Sequence, residues 1–443
     1  MAVSNASLTT ISGLFKRKYG NLSDLLPKGF PLLEMAGFTA AGKAGESLQV
    51  AVQLSHENGI SLAGSAGDVI NFNDAQSGIV KQAKFVPAEM FLSTGIVTSA
   101  LARAASSEQS FEMATKNRVA ANLKSHMRFT EHLCYYGQDD YGVGRVSYLG
   151  GDFRGITFTA GAGTLGGVIL TAGVNTTSKN IMISPEDIAS GLFIGAEGLE
   201  IEQIVTAGGA IAGAGAAKGK IVAVDIRNGI IKVDFTPVAA TGVGSHHLKL
   251  KGQSSALDMI GAKKILANTG SLFDIDAAVY SMWAGNSKAI VGKLTFAKLV
   301  DVIEAACDMG LDRDVEVHVP FESWGDLLQE QAALRSYDSS YDASKAENGA
   351  KKIEFHFVNG LIRVVPSRFV RRSEAFVFAV GDWSRIGASD IGLKVPGSDD
   401  GDLITPPISS NVYVFRSYSN QQIMCAAPRR SILLTGINPE ALS

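Results

Sequence analysis

Two glycine-bearing segments have spacings that could bind phosphate. Gly37-Phe38-Thr39-Ala40-Ala41-Gly42-Lys43 matches the P-loop, in which backbone N–H groups cradle a nucleotide and the lysine reaches its terminal phosphates. The next residue is Ala44, where a Ser or Thr hydroxyl should hold magnesium. The alternating stretch 48–54 then follows where the motif needs a helix N-terminus. Gly161-Ala162-Gly163-Thr164-Leu165-Gly166 fits the dinucleotide fingerprint, follows the strand-like residues 156–159, and has Glu186 and Asp187 near the place of the ribose-binding acid. A nucleotide-binding oxidoreductase built on this loop, Gly161 to Gly166, is the enzyme alternative. Residues 167–174 argue against it, because they are β-branched and contain glycine, and Asn175-Thr176-Thr177-Ser178 stops any helix there. A Gly-rich turn between strands accounts for the same residues.

Metal chemistry fares no better. His126, His132 and Cys134 fall on a helical stretch, where residues six apart point to different faces, so the two imidazoles do not converge. His246 and His247 are adjacent at a strand start and oppose each other. Cys134, Cys307 and Cys425 are odd in number and far apart, which implies neither a disulfide framework nor a zinc site and makes a reducing compartment the default. Neither a Gly-x-Ser-x-Gly elbow nor a His-Glu-x-x-His helix occurs. No catalytic, cofactor-binding or metal-ligating residue is assigned, no cofactor is expected, and the chain reads as a non-enzyme.

The elements around these residues suit reach rather than enclosure. Leu48, Val50, Val52 and Leu54 alternate with Gln49, Ala51, Gln53 and Ser55, a half-buried strand. His56-Glu57-Asn58-Gly59 turns the chain, Gly64, Gly67 and Gly78 keep the far region supple, and residues 79–86 return as a second strand ended by Pro87. Residues 88–136 read mainly as helix, with Met113, Ala120, Met127, Cys134 and Leu123 on one narrow face and a stop at Gly137. Gly95 and Ser106-Ser107 are expected breaks near its start, which falls between Ala88 and Ser110. An arm followed directly by a long helix is a poor pocket and a good way to span a neighbouring subunit.

The remainder is mixed. Residues 198–252 form a compact β pattern with Asn228-Gly229 as a hairpin turn. Thr295 caps a helix with the inner face Phe296, Leu299, Val300, Ile303 and Cys307, ending at Gly310. Val315, Val317 and Val319 form a strand, a helix begins near Ser323, and residues 353–365 make a hairpin about Asn359-Gly360. Residues 336–352 read as an exposed loop and Asp399-Asp400-Gly401-Asp402 as an acidic turn. Residues 412–415, 422–426 and 431–434 finish the chain as strands.

At 443 residues, with 46% hydrophobic and 19% charged residues, the chain can bury a substantial core. A net charge of −3 excludes a surface built to grip nucleic acid, though not a container for it. The triplet Lys16-Arg17-Lys18 reads as a solvated cluster. No signal peptide or membrane span is expected, and the small-residue run 204–217 is interrupted by Thr206 and glycines.

The succession of segments resembles the major capsid proteins of tailed bacteriophages, whose Hong Kong 97-like fold is shared with encapsulins. YGNLSDLLPKGFPLLEMAGF, SLQVAVQLSHENGISLAG, the helix ending in HLCYYG, LFDIDAAVYSMWAGN, LTFAKLVDVIEAACDMGLDRDVEVHVPFESWGDLLQEQ and FRSYSNQQIMCAAPRRSILLTGI carry the resemblance over nearly the whole chain. It implies an α+β fold with an N-terminal arm (1–46), an E-loop (47–86) and a peripheral domain with a spine helix (87–160). An axial domain with further peripheral-domain strands (161–410) and C-terminal strands (411–443) complete it, with residues 198–252 as a small β insertion. It further implies a virion subunit, assembled in the host bacterial cytoplasm, forming hexamers and pentamers of an icosahedral shell around double-stranded DNA. An encapsulin-like protein compartment is the alternative. The implied partners are copies of itself, a separate scaffolding protein, a portal protein, a decoration or cement protein and weakly contacted DNA, with no membrane. Some members of the family crosslink E-loop lysines to a neighbour's asparagines. Lys81 and Lys84 lie at the loop's base, so that crosslink is not expected here.

Overall fold

The computed structural model describes residues 29–41, 47–62, 72–97, 108–140, 142–149, 164–165, 168–169, 180–205, 210–212, 215–227, 229–238, 246–253, 258–335, 353–357, 360–393 and 412–438. The Lys16-Arg17-Lys18 triplet, Gly64 and Gly67 of the arm tip, the loop 336–352, the acidic turn 399–402, Asn228 and Asn359 lie outside the described residues. In chain order the main elements are α1 (Pro31–Met35), β1 (Phe38–Ala40), β2 (Leu48–Gln53), β3 (Val80–Phe85), β4 (Ala88–Val97) and α2 (Glu108–Tyr136). Next come β5 (Gly144–Leu149), β6 (Asn180–Ile183), β7 (Glu200–Val205), β8 (Lys218–Asp225), β9 (Ile230–Val233), β10 (His246–Leu250) and α3 (Ala262–Leu266). Then follow β11 (Ser287–Gly292), α4 (Phe296–Asp308), β12 (Val315–Val319), α5 (Phe321–Arg335), β13 (Ile353–Phe357) and β14 (Gly360–Pro366). The chain closes with β15 (Ala375–Ala379), β16 (Trp383–Gly392), β17 (Val412–Cys425) and β18 (Ile432–Ile437).

The expected arm is present. Strands β2 and β3 pair antiparallel from Leu48↔Phe85 to Gln53↔Val80 and join no other sheet. Alternation is visible in burial, with Leu48 inside and Gln49 outside. An isolated two-stranded ribbon is marginal in water, so its root is anchored: Phe85 is buried against Phe273 at 4.4 Å between ring centroids, and Lys84 N donates to Phe273 O at 2.9 Å.

Residues 88–97 are not helix. They form β4, which pairs antiparallel with β17 from Ala88↔Gln421 to Val97↔Val412. The scarcity of turn residues that suggested helix fits a long strand equally well, and a ten-residue pairing decides it. The sheet runs β1-β16-β17-β4, and β17 is one continuous strand across the polar residues 416–421 that separated the two expected strands. Period-2 hydrophobicity misses it because its inward face is polar: Ser417, Ser419 and Gln421 are fully buried with hydrogen-bond partners.

Helix α2 begins at Glu108, inside the expected window, and crosses this sheet. Its last turns depart from the expected single narrow face, since residues 131–137 are buried on all sides. Elements arriving from four parts of the chain surround them, α1, α3, β16 and β17. Gly137 does more than end the helix. Its N–H bonds Leu133 O at 2.7 Å, its carbonyl accepts from Gly261 N at 2.8 Å, and a Cβ there would run into Met259 O. Gly137→Ala is therefore expected to cost about 1–3 kcal/mol, the usual penalty of overpacking against backbone that cannot yield. The urea midpoint of the purified protein reads it, and an unchanged midpoint would contradict the close approach.

A six-stranded mixed sheet, β11-β18-β15-β12-β14-β13, shares one core with α4 and α5. Thr295 caps α4 by accepting from Lys298 N, and Leu299, Val302, Ile303 and Ala306 are its buried face. Val300, expected inside, is only half-buried. Strand β12 runs parallel to β14 and antiparallel to β15, and β13 and β14 form the expected hairpin with Phe357 opposite Gly360. A third sheet, β10-β7-β8-β9-β6-β5, contains the strands of residues 198–252 together with β5 and β6 from earlier in the chain. Asp225 pairs with Ile230, so the β8–β9 turn spans four residues rather than two. Among the described residues no helix is long and apolar enough to cross a membrane.

Candidate functional site: an exposed arm on a buried ionic junction

The residues that could have done chemistry are dispersed. Phe38, Thr39 and Ala40 form β1, parallel to β16 with Phe38 opposite Arg385, and Ala41 N donates to Gly387 O. Those amides serve a sheet rather than a phosphate; Gly42, Lys43 and Ala44 lie outside the described residues. Thr164-Leu165 pairs with Val168-Ile169 as a tight hairpin, so a strand follows where the dinucleotide motif needs a helix; the other members of 161–166 lie outside the described residues. Among the described residues no group of three His, Cys, Asp or Glu is placed to hold a metal. His126 sits between Ser417 Oγ at 2.7 Å and Ser419 Oγ at 2.8 Å, and His246 Nδ1 meets Gln203 Nε2 at 3.0 Å. Cys134, Cys307 and Cys425 form no disulfide, and burial pushes Cys134 and Cys425 far up in pKa, opposite to a reactive thiolate.

Two features stand out instead. The first is the arm. Beyond its root the hairpin continues through Asn58 N to Gln76 O at 3.2 Å and Asn73 Nδ2 to Ile60 O at 2.7 Å. It carries Ile60, Leu62 and Phe72 at 70%, 86% and 83% exposure. Scattered single apolar residues on a surface need no explanation, but three on one ribbon with no sheet behind it offer a contact face. Lys81 and Lys84 stand exposed at the root, opposite Val52 and Gln49.

The second is the junction at the end of α2, from which the arm's root and all three larger sheets diverge. Arg371 is fully buried with its guanidinium over the Tyr136 ring at 4.1 Å. Its Nη1 lies 2.8 Å from Asp139 Oδ2 and 3.9 Å from Glu374 Oε1, while Nη2 donates to Gly142 O at 2.7 Å. The Asp139 approach is an ion contact rather than an aligned hydrogen bond, since neither atom has a bond of good geometry. Lys263 Nζ contacts Glu374 at 2.8 Å and Asp139 at 3.4 Å, so two cations face two carboxylates. Burial alone would raise the Asp139 carboxyl, but Arg371 and Lys263 hold it below its ordinary value. The Arg371 backbone N–H donates to Tyr136 Oη at 2.9 Å. Beside this cluster Tyr135 Oη meets His318 Nδ1 at 2.5 Å, and His318 Nε2 meets Glu316 at 2.8 Å, which ties the helix to β12. Glu131 reaches back to the start of α1, accepting from Leu32 N at 2.9 Å and Leu33 N at 2.8 Å.

The sequence offers a signal for part of this. Arg371 and Arg372 follow an apolar Phe369-Val370 pair, and Asp139 lies two residues past the stop at Gly137, but nothing in spacing pairs residues so far apart.

Several buried groups titrate with opposite signs. Burial, opposed by Asp390, lowers His126 to about 4. Burial and Arg371 lower His132 to about 3, and burial and Lys249 lower His247 to about 4. An unfolded chain protonates these near pH 6.5, so it binds more protons than the folded one below that, and stability falls as pH drops from 6.5 toward 4. Glu131 acts the other way. Burial raises its carboxyl to about 8 despite two N–H donors, so its contribution is lost as pH rises from 4.5 to 8. Urea midpoints are expected to peak near neutral-to-weakly-acid pH and to fall on the acid side, with His126→Gln flattening the acid limb. A level profile down to pH 4.5 would contradict the buried neutral histidines.

A cleft of about 920 Å³ opens beside the arm's root, lined by Val86, Phe91, Met259 and Phe273. Its partly buried carboxyl, Asp258, is engaged by Gln138 N and Gln253 Nε2, and among the described residues no His, Cys or Ser lines the cleft with it. Nothing there has the form of a nucleophile–base pair.

No protein-family profile matches the chain, and no curated protein sequence matches it. Solved structures do. In the cyanophage A-1(L) capsid asymmetric unit a chain superposes with a TM-score of 0.52 at 8% identity, over 95% of this chain and 96% of that one. The capsid of an empty GTA particle aligns with a TM-score of 0.46 at 9% identity, over 99% and 100%. The holo-SrpI encapsulin complex from Synechococcus elongatus aligns with a TM-score of 0.39 at 6% identity, over 99% and 97%. The superposition on the cyanophage capsid chain shows the fold, the Hong Kong 97-like capsid fold and the α+β arrangement expected from the sequence.

Proposed function

We propose that this chain is the major capsid protein of a tailed bacteriophage, a non-catalytic subunit that assembles into hexamers and pentamers of an icosahedral shell around double-stranded DNA. The observation that carries this is the exposed arm, with Ile60, Leu62 and Phe72 in solvent, on a chain of capsid fold. A shell subunit needs obligate contacts of more than about 2,000 Å², and a ribbon that lies across a neighbour supplies them by apolar burial and strand pairing. Head-to-tail contacts of this kind close into rings. On this reading residues 47–86 are the E-loop, α2 is the spine of a peripheral domain over 87–160, and residues 161–410 hold the axial domain and further peripheral strands. Residues 1–46 are the N-terminal arm, 411–443 the closing strands, and 198–252 an inserted β element. A separate scaffolding protein, a portal protein and a decoration protein are the partners, and assembly takes place in the host bacterial cytoplasm. Net charge of −3 suits a wall that contacts packaged DNA weakly.

Extraction of particles made in the natural host tests this reading. Double-stranded DNA of uniform length inside is the expected content. Particles holding a protein cargo and no DNA would instead make this an encapsulin-like compartment and sink the viral assignment.

A further inference from the structure

A separate pocket of about 260 Å³ lies between α2, β4 and residues 195–199. Helix α2 presents Arg118, Asn122, Ser125 and Arg128 to it, spaced so that they share one face. Asn122 Nδ2 donates to Leu92 O at 3.1 Å and to Thr94 Oγ1 at 2.6 Å, which ties β4 to the helix and makes one wall rigid.

The two arginines differ in how they are satisfied. Arg128 is only 8% exposed; its Nη1 donates to Ile194 O at 2.8 Å and its charge is offset by Glu197. Arg118 has no such offset. It is half-buried; its Nε, like that of Arg128, is buried without a hydrogen-bond partner, and among the described residues no carboxylate or carbonyl pairs with its guanidinium. Burial accordingly lowers its pKa with no charge opposing. A guanidinium N–H stripped of water and left without an acceptor is unfavourable. Its fork matches a planar or tetrahedral oxyanion, which would restore the missing bonds in charge-assisted form.

We propose that this pocket binds one oxyanion, a phosphate or carboxylate group held by the Arg118 guanidinium beside Arg128. The site is independent of the shell reading and can be tested whether or not the protein forms particles.

Full-length protein, in the assembly in which it purifies and after dissociation into subunits, is titrated with inorganic phosphate and with acetate at fixed ionic strength. Arg118→Gln and Arg118→Lys are titrated alongside. Saturable binding of one anion per subunit is expected, weakened roughly ten-fold or more in R118Q and partly retained in R118K, which keeps the charge without the fork. If a carboxylate of a second copy fills the pocket, phosphate binds dissociated subunits and not the assembly, and R118Q loosens the assembly. Titrations that fail to saturate in both states, or that are identical for the wild type and R118Q, overturn the proposal. Wild-type unfolding midpoints for both variants in chloride guard against misfolding as the cause.

Discussion

Replacing Arg371 by Met is expected to remove about 3–5 kcal/mol of subunit stability, the usual cost of stranding a buried charge pair's partner. Arg371 is fully buried, and without it Asp139 and Glu374 keep only Lys263. Whole domains are stable by only about 5–15 kcal/mol, so this is a large share of the total and should lower the urea midpoint strongly. The physical reason is asymmetric. The intact cluster adds little net stability over an apolar one, because desolvation offsets its Coulomb energy, but a half-removed cluster leaves a carboxylate in a medium that cannot solvate it. A second variant separates these statements. Arg371→Met combined with Asp139→Leu balances charge again around Lys263 and Glu374, and should regain a measurable part of the loss because the two sites are in contact and do not add. If R371M unfolds at the wild-type urea concentration, the junction is not what holds the end of α2 among the sheets.

Deleting residues 58–73 is expected to leave a folded subunit that assembles at least roughly ten-fold less completely, equivalent to about 1.4 kcal/mol or more per contact. Folding should survive because, among the described residues, the buried ones of the arm lie at its root, Leu48, Leu54, Ala83 and Phe85, all outside the deletion. The cut ends are close, since Asn58 N donates to Gln76 O and Ser55 Oγ accepts from Ile79 N at 2.8 Å. What is lost is the outer ribbon with Ile60, Leu62 and Phe72, which the isolated subunit leaves in water. Circular dichroism with sedimentation velocity reads both halves of the prediction. Particles of unchanged yield and stability would show that the arm is not an assembly element.

Elements with their own local signature were legible in the sequence. The arm announced itself through the alternation at 48–54 and the return before Pro87, and Thr295 and Gly310 bracket α4 as expected. What failed did so where tertiary partners override local pattern. Strand β17 reads as polar because Ser417 and Ser419 satisfy a buried histidine from α2, and β4 reads as helix because only its pairing with β17 makes it a strand. The last turns of α2 carry no amphipathic stripe because several elements enclose them from all sides. The ionic junction was illegible for a related reason, since Asp139, Lys263 and Arg371 meet only after the sheets are placed. Each glycine motif is expected to lack a following helix, and the segments that are described there are paired strands.

Closure of this chain into shells is the central expectation. Purified protein, assembled with its scaffolding partner where it needs one, should give closed particles by electron cryomicroscopy, with five-fold and six-fold rings of subunits and each arm lying across a neighbouring copy. A protein that stays a monomer or dimer under those conditions and binds a nucleotide would contradict it.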